Sequence, residues 1–241
     1  MGEISQDLLT GKKAAVESMF DSIAKRYDFL NHFLSFRADI LWRRKAIKSV
    51  EKTLNPSFIL DVATGTADFA IEATRLNPVK ITGIDISEKM LELGRKKIIK
   101  KGLTEKIELV HGDVDHLPFD DNSFDLVMSS FGVRNFSDTF KGINEMARVL
   151  RKDGCMMVLE FSTPSNRYFR KLFSFYFFRI LPLAGRLLSG HKEAYSYLPN
   201  SVEKFPEQKT FVNMMERAGL SNVSFRNLAG GIAVIYTGLK L

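Results

Sequence analysis

Cysteine is nearly absent from this 241-residue chain, which has only Cys155. A disulfide framework within the chain and a four-cysteine zinc site are therefore excluded. A lone thiol fits a reducing compartment. The four histidines, His32, His111, His116 and His191, show no metal-ligand spacing, and no metal is expected. Long apolar runs are missing too. The greasiest stretch, Tyr168 to Leu188, is interrupted by Arg170, Lys171, Arg179 and Arg186 and broken by Pro182. It falls short of the roughly 20 apolar residues of a membrane-spanning helix. The N-terminus, MGEISQDLLTGKK, has no charged-then-apolar pattern, so neither a secretory leader nor lipidation is expected. No repeat, phosphate loop or hydrolase triad signature stands out. What remains is an ordinary globular composition, 45% hydrophobic and 26% charged. It suffices for one α/β domain with decorations.

Acids are missing locally as well. Ser165 to Ser189 holds Arg167, Arg170, Lys171, Arg179 and Arg186, seven aromatics and no carboxylate. Much of the net charge of +7 thus sits beside apolar side chains. That placement points to an anionic membrane surface at least as much as to nucleic acid. The segment fits three roles equally: an interfacial helix and lid over a lipid-like substrate, a helix packed on the sheet, or a homodimer contact.

Periodicity divides the chain. Val16, Phe20, Ile23, Tyr27, Leu30 and Leu34 predict an amphipathic helix over Lys13 to Leu34. A second helix is expected over Ile40 to Thr53. Strands at Phe58–Ala63, Lys80–Ile84, Lys106–Val110, Phe124–Met128 and Cys155–Phe161 then alternate with helices at Ala67–Leu76, Glu88–Lys101 and Ser137–Leu150. This alternation predicts a parallel, doubly wound sheet. A helix over Glu207 to Ala218 precedes two strands, Asn222–Asn227 and Ile232–Gly238. Their short link, Leu228–Gly231, makes them antiparallel. Seven strands, mostly parallel with an antiparallel C-terminal hairpin, are the layout of Rossmann-like class I S-adenosylmethionine (SAM)-dependent methyltransferases. Dinucleotide dehydrogenases usually keep the last strand parallel.

The turn DVATGTAD, Asp61 to Asp68, joins the first strand to its helix. Gly65 allows close backbone approach, and the helix start offers free N–H groups. A dinucleotide fingerprint would read G-x-G-x-x-G, but Ala63, Gly65 and Asp68 stand there instead. A carboxylate at Asp68 would repel a pyrophosphate and suits a cationic end, such as the sulfonium and ammonium of SAM. An ordinary strand–turn–helix junction reads similarly, so context matters. Asp85 closes the second strand, where an acid can take both ribose hydroxyls. Asp113 follows the third strand and can accept the adenine amino proton, with Val114 backing the ring. Three acids at successive strand ends signal more than any one of them. After the fourth strand comes MSSFGVRNF, with Arg134 and Asn135 near the expected reaction centre. The Asn/Asp-Pro-Pro-aromatic run of amino-methyltransferases is absent there. Cys155 lies at the start of the next strand, as a small core residue rather than a cytosine-type nucleophile.

Several blocks resemble the UbiE-type C-methyltransferases of menaquinone and ubiquinone biosynthesis over nearly the whole chain. They are Tyr27-Asp28-Phe29-Leu30-Asn31, Leu34-Ser35, Asp39 to Trp42, Phe131 to Asn135, Arg148 to Gly154, Glu160-Phe161-Ser162, YSYLPNSVEKFP and GGIAVIYTGLK. Leu30 replaces a family Met, Asp39 a family His, and Lys152-Asp153 a Pro-Gly. Ala63 and Ala67 replace glycines of the usual turn.

The resemblance implies SAM contacts at Thr66, Asp85, Asp113, Val114 and Ser130, to which the turn adds Asp61 and Gly65. It implies methyl transfer to a ring carbon of a polyprenylated quinol, demethylmenaquinol foremost. The expected catalytic groups are Arg134 for the phenolate, Asn135 for the ring and Tyr27 for closing the site. The expected organisation is a helical cap (1–55), a SAM-binding core (56–162), an aromatic and basic lid (163–206) and a C-terminal helix and hairpin (207–241). The expected location is the cytoplasm, peripheral to the inner face of the cell membrane, with no nucleic acid bound. The rival readings are a nucleic-acid methyltransferase, suggested by the basic pI, and a membrane-peripheral assembly protein that holds SAM or quinone without turnover.

Overall fold

The computed structural model describes residues 11, 13–22, 24, 32, 35–164, 166–176, 179 and 192–241. Residues 13–22 form a helix, α1. It is followed by α2 (Ala38–Val50), β1 (Phe58–Val62), α3 (Asp68–Ala73), β2 (Lys80–Asp85), α4 (Glu88–Lys100) and β3 (Ile107–His111). Next come β4 (Phe124–Ser130), α5 (Thr139–Val149), β5 (Leu150–Phe161), α6 (Arg167–Phe175), α7 (Lys192–Lys204), α8 (Gln208–Arg217), β6 (Leu220–Leu228) and β7 (Ala233–Lys240). Short 3₁₀ turns cover Thr74–Leu76, Val114–His116 and Val133–Asn135.

The expected sheet is present. Seven strands run in the order β3-β2-β1-β4-β5-β7-β6. The first five are parallel, and β7 pairs antiparallel with both β5 and β6. Strand alternation sends neighbouring residues to opposite faces. Ile59, Leu126, Met157 and Ile235 join one core with Trp42 and Ile47 of α2, Phe69 of α3 and Ile98 of α4. Leu60, Val127, Val158 and Val234 join the other with Ile143 of α5 and Phe211 of α8. Each fully buried branched side chain contributes about 2 kcal/mol.

Local chemistry fixes the helix starts. The Ser87 hydroxyl accepts from the Met90 N–H at 3.2 Å and caps α4. Asp138 alone caps α5, accepting from Phe140 and Lys141, whereas the Ser137 hydroxyl turns to Asp115 at 2.8 Å. Strand β5 starts at Leu150 rather than Cys155, because Phe124 of β4 already pairs with Leu150. The Lys240 ammonium closes the end of α5, donating to the Ala147 and Leu150 carbonyls at 2.8 and 2.7 Å. Among the described residues no helix is long and apolar enough to cross a membrane. The Tyr27–Asn31 block and most of the segment from Ser165 to Ser189 lie in part or wholly outside the described residues.

Candidate active site

Strand order reverses between β1 and β4, the place where open parallel sheets bind ligands. The turn after β1 is held from below by Asp61. Its Oδ2 accepts from the Thr64 hydroxyl at 2.6 Å and from the Ala70 N–H at 3.1 Å. Its Oδ1 is buried and has no hydrogen-bond partner among the described residues. Burial pushes this carboxyl up to about 7, with Thr64 and the Ala70 N–H pulling the other way. Ala63, Gly65 and Ala67 all adopt left-handed backbone, with φ of 54°, 55° and 65°. Only Gly65 does so without strain; each alanine costs about 1 kcal/mol. The Ala63 methyl lies against Gly132, where an added Cβ would lie only 2.6 Å from it. A Cβ on Gly65 would meet no protein atom within 4 Å. Open space therefore lies against the turn, where a ligand can approach.

That space is a cleft of ≈ 950 Å³, open solvent included. It brings together Gly65, Thr66, Asp85, Asp113, Val114, Ser130 and Asn135 from the sequence-predicted set. Asp85 bridges two loops, its Oδ2 accepting from the Gly65 N–H at 2.7 Å and its Oδ1 from the Ser87 N–H at 2.9 Å. Burial raises its pKa, and the Ser87, Gly65 and Ile86 N–H groups offset part of that rise. Each carboxylate oxygen retains a lone pair for a ribose hydroxyl. Asp113 accepts from the Asp115 N–H at 2.9 Å and receives the Lys13 ammonium of α1 at 2.5 Å. Lys13 also reaches Asp115 at 2.5 Å. With Val16 and Phe20, it makes α1 a wall of the cleft.

Two predicted residues lie behind the cleft wall. Asp61 is fully buried and acts through the turn. Arg134 is not among the lining residues. Its Nη1 donates to Glu160 Oε1 at 2.9 Å and to the Phe131 carbonyl, and its Nε to the Ser201 hydroxyl at 3.3 Å. Both side chains of the Arg134–Glu160 pair are buried. Asn135 stays in the lining, and its Oδ1 accepts from the Tyr197 hydroxyl of α7 at 3.1 Å. Tyr27 lies outside the described residues. Asp68 lines the cleft, but its charge is matched by Lys97 at 2.5 Å, which sequence spacing did not disclose.

The sequence reading also missed Lys13, Arg43 and Tyr197. Arg43 follows Trp42 in a helix pattern that marks only the buried Trp; Tyr197 lies in a recognised block that carries no assigned role. Among the described residues no three His, Cys, Asp or Glu side chains gather as a metal site. The donor set instead suits an adenosyl amino acid. Acids line the cleft at the ends of β2 and β3, open space lies over Gly65, and a cation, Arg43, stands near the end of β4.

Known proteins bear on the same point. Residues 8–240 match the model of the ubiE/COQ5 methyltransferase family. A demethylmenaquinone methyltransferase from Bacteroides fragilis is 47% identical over 95% of this chain and 94% of its own. A ubiquinone/menaquinone biosynthesis C-methyltransferase, UbiE, from Geobacter sulfurreducens is 44% identical over 99% of this chain and 93% of its own. A SAM-dependent methyltransferase structure from Thermotoga maritima shares the fold, with a TM-score of 0.66 and 18% identity. It covers 94% of this chain and 100% of its own. With family blocks in order along the chain and the cleft at the sheet's switch point, this chain belongs to the ubiE/COQ5 methyltransferase family.

Proposed function

We propose that the chain methylates a ring carbon of a polyprenylated quinol, demethylmenaquinol being the substrate. The carrying observation is the cleft. Nucleoside-binding acids on β2 and β3 share one lining with Asn135 and the apolar Phe131 and Phe136. When bound, SAM supplies a sulfonium methyl that a quinol ring carbon can take once the neighbouring hydroxyl has lost its proton. Asp85 and Asp113 hold the nucleoside. Phe20, Phe131 and Phe136 exclude water, which strengthens every polar contact inside. Asn135, steadied by Tyr197, orients the ring. Arg134, paired with Glu160, sets the loop that carries Asn135 beside the developing phenolate. Tyr27 helps close the site from the N-terminal segment.

The polyprenyl tail calls for a membrane. Helix α6 exposes Tyr168 and Phe175 together with Arg167, Arg170 and Lys171. Phe36 and Leu41 are exposed as well, and the Phe36 ring lies 6.3 Å from that of Tyr176. This mixture of apolar and basic groups suits the anionic inner face of a cell membrane, and the single buried cysteine suits the reducing side.

One experiment tests both readings. The chain is incubated with methyl-labelled SAM and demethylmenaquinol or a benzoquinol analogue, presented in anionic or neutral vesicles. Label is expected in the naphthoquinol, faster on the anionic surface. No labelled product from either quinol overturns the assignment, and equal rates on both surfaces overturn the membrane reading.

A further inference from the structure

Among the described residues, two cations line the cleft, Lys13 and Arg43. They stand at opposite ends. Lys13 is engaged by Asp113 and Asp115, beyond β3. Arg43 lies beside Ser130, at the end of β4, with its Nε 3.3 Å from the Ser130 hydroxyl. The strands β3 and β4 are three places apart in the sheet. That is about 14 Å at ordinary strand spacing. An extended adenosyl amino acid spans a distance of this order, so a ligand with its base at Asp113 places its amino-acid end at Arg43.

The chemistry at that end matches a zwitterion. Arg43 is 9% exposed, and α2 holds it against the Phe131 ring, 5.6 Å from the centroid. Its Nη1 donates to Asp39 at 2.7 Å. Its Nη2 has no hydrogen-bond partner among the described residues, and a guanidinium edge left open in this way is suited to a carboxylate. Asp68 lines the same end; Lys97 holds its Oδ1 at 2.5 Å, while its Oδ2 faces the Arg43 Nη1 at 3.9 Å and His32 Nε2 at 3.7 Å and is the oxygen left for an ammonium. An acid and a cation thus stand side by side, as an α-ammonium and α-carboxylate require.

The cation is preset. Asp39 is 3% exposed and takes three partners: Arg43, the Ser35 hydroxyl at 2.6 Å and His32 Nδ1 at 2.8 Å. Burial alone would raise the Asp39 carboxyl. Arg43, Ser35 and His32 outweigh it and hold the carboxyl below its ordinary value. A charged, fully engaged Asp39 fixes the guanidinium before ligand arrives, so little ordering is left for binding.

We propose that Arg43 binds the α-carboxylate of SAM's methionyl group, with Asp68 taking the ammonium and Asp39 positioning the guanidinium. This rests on SAM as the cofactor and assigns the end of it that the strand-end acids leave unaddressed.

The test is calorimetric titration of the full chain with three nucleosides. They are S-adenosylhomocysteine, its decarboxylated amine and 5′-methylthioadenosine, which lacks the amino acid. The unaltered chain should prefer S-adenosylhomocysteine to the amine by about 10- to 100-fold, the worth of a charge-assisted pair. Arg43→Gln should reduce that ratio to below about 3 and leave methylthioadenosine binding unchanged. Because Arg43→Gln strands a buried Asp39, the pair Arg43→Gln with Asp39→Asn removes both charges together and should show the same collapse. Asp39→Asn alone should lower the ratio several-fold, a change that a purely structural role would not produce. A retained ratio in the Arg43 variants overturns the proposal, and so does an equal loss for all three nucleosides. Failure of the unaltered chain to bind any of the three would instead overturn the SAM site itself.

Discussion

The turn after β1 and the loop after β4 flank the same cleft, yet they are stabilised in opposite ways. The first contains unfavourable features. Two alanines sit in left-handed backbone, and Asp61 buries an oxygen without a partner among the described residues. The second is satisfied. Glu160 Oε1 accepts from Arg134 and from the Phe161 N–H at 2.8 Å, and its Oε2 from the Arg134 N–H at 3.2 Å. Arg134 adds Ser201 and lies over the Phe161 ring, 5.4 Å from its centroid. Backbone strain gathers in the turn that faces the ligand space, with Asp61 buried beneath it. A buried ion pair gathers where the wall must not move. The cofactor side is thus built to gain from its ligand, and the opposite side to stay fixed while substrates come and go.

Breaking the pair gives the largest expected effect. Arg134→Met strands Glu160 without a countercharge and should cost about 3–5 kcal/mol in urea unfolding. A loss below about 1 kcal/mol would remove the contrast, because the pair would then be a bystander.

The next effect depends on pH. The Asp61 carboxyl titrates at about 7 when folded, against an ordinary 3.8. Between those values the folded chain binds the extra proton. Stability from Asp61 is therefore fully present below about pH 3.8 and lost as pH rises to about 7. Asp61→Asn keeps an acceptor for Thr64 and Ala70 and does not titrate. Its stability relative to the unaltered chain should grow from pH 4 to pH 7, by of the order of 2–4 kcal/mol, and level off above. Unfolding midpoints at pH 5 and pH 8 measure this, and a constant difference would show that Asp61 carries no unmatched charge.

The smallest effect concerns the backbone. Ala63→Gly and Ala67→Gly should each stabilise the chain by about 0.5–1 kcal/mol, the relief of left-handed strain less the extra freedom of the unfolded glycine. A destabilised Ala67→Gly in thermal unfolding would mean that its methyl contributes more through packing than its backbone costs. That outcome is the sharper test, because Ala67 is fully buried.

The parts legible in the sequence are those with local causes. The alternation of short apolar runs and amphipathic helices follows from strand and helix periods, and the sheet has the expected seven strands, mostly parallel with an antiparallel C-terminal hairpin. Asp85, Asp113, Gly65 and Thr66 follow strands or open a turn, and the strand-end position brought them to the cleft. The same rule led Asp61 only as far as the turn's underside, because the last residues of a buried strand alternate between faces and β1 buries its acid. Asp68 looked like a free charge because its partner, Lys97, lies 29 residues away on α4.

The sequence by itself determined the order of strands and helices, the turn that receives a nucleoside and the family resemblance. All three are written in patterns that span a few residues or recur in chain order. The tertiary structure alone decided which charges face the cleft and which are neutralised behind it. Arg134 meets Glu160 across 26 residues, Lys13 meets Asp113 across 100, and Arg43 meets Ser130 across 87. Such pairings depend on where helices come to rest on the sheet. Packing of their apolar faces sets that position, and no local spacing encodes it.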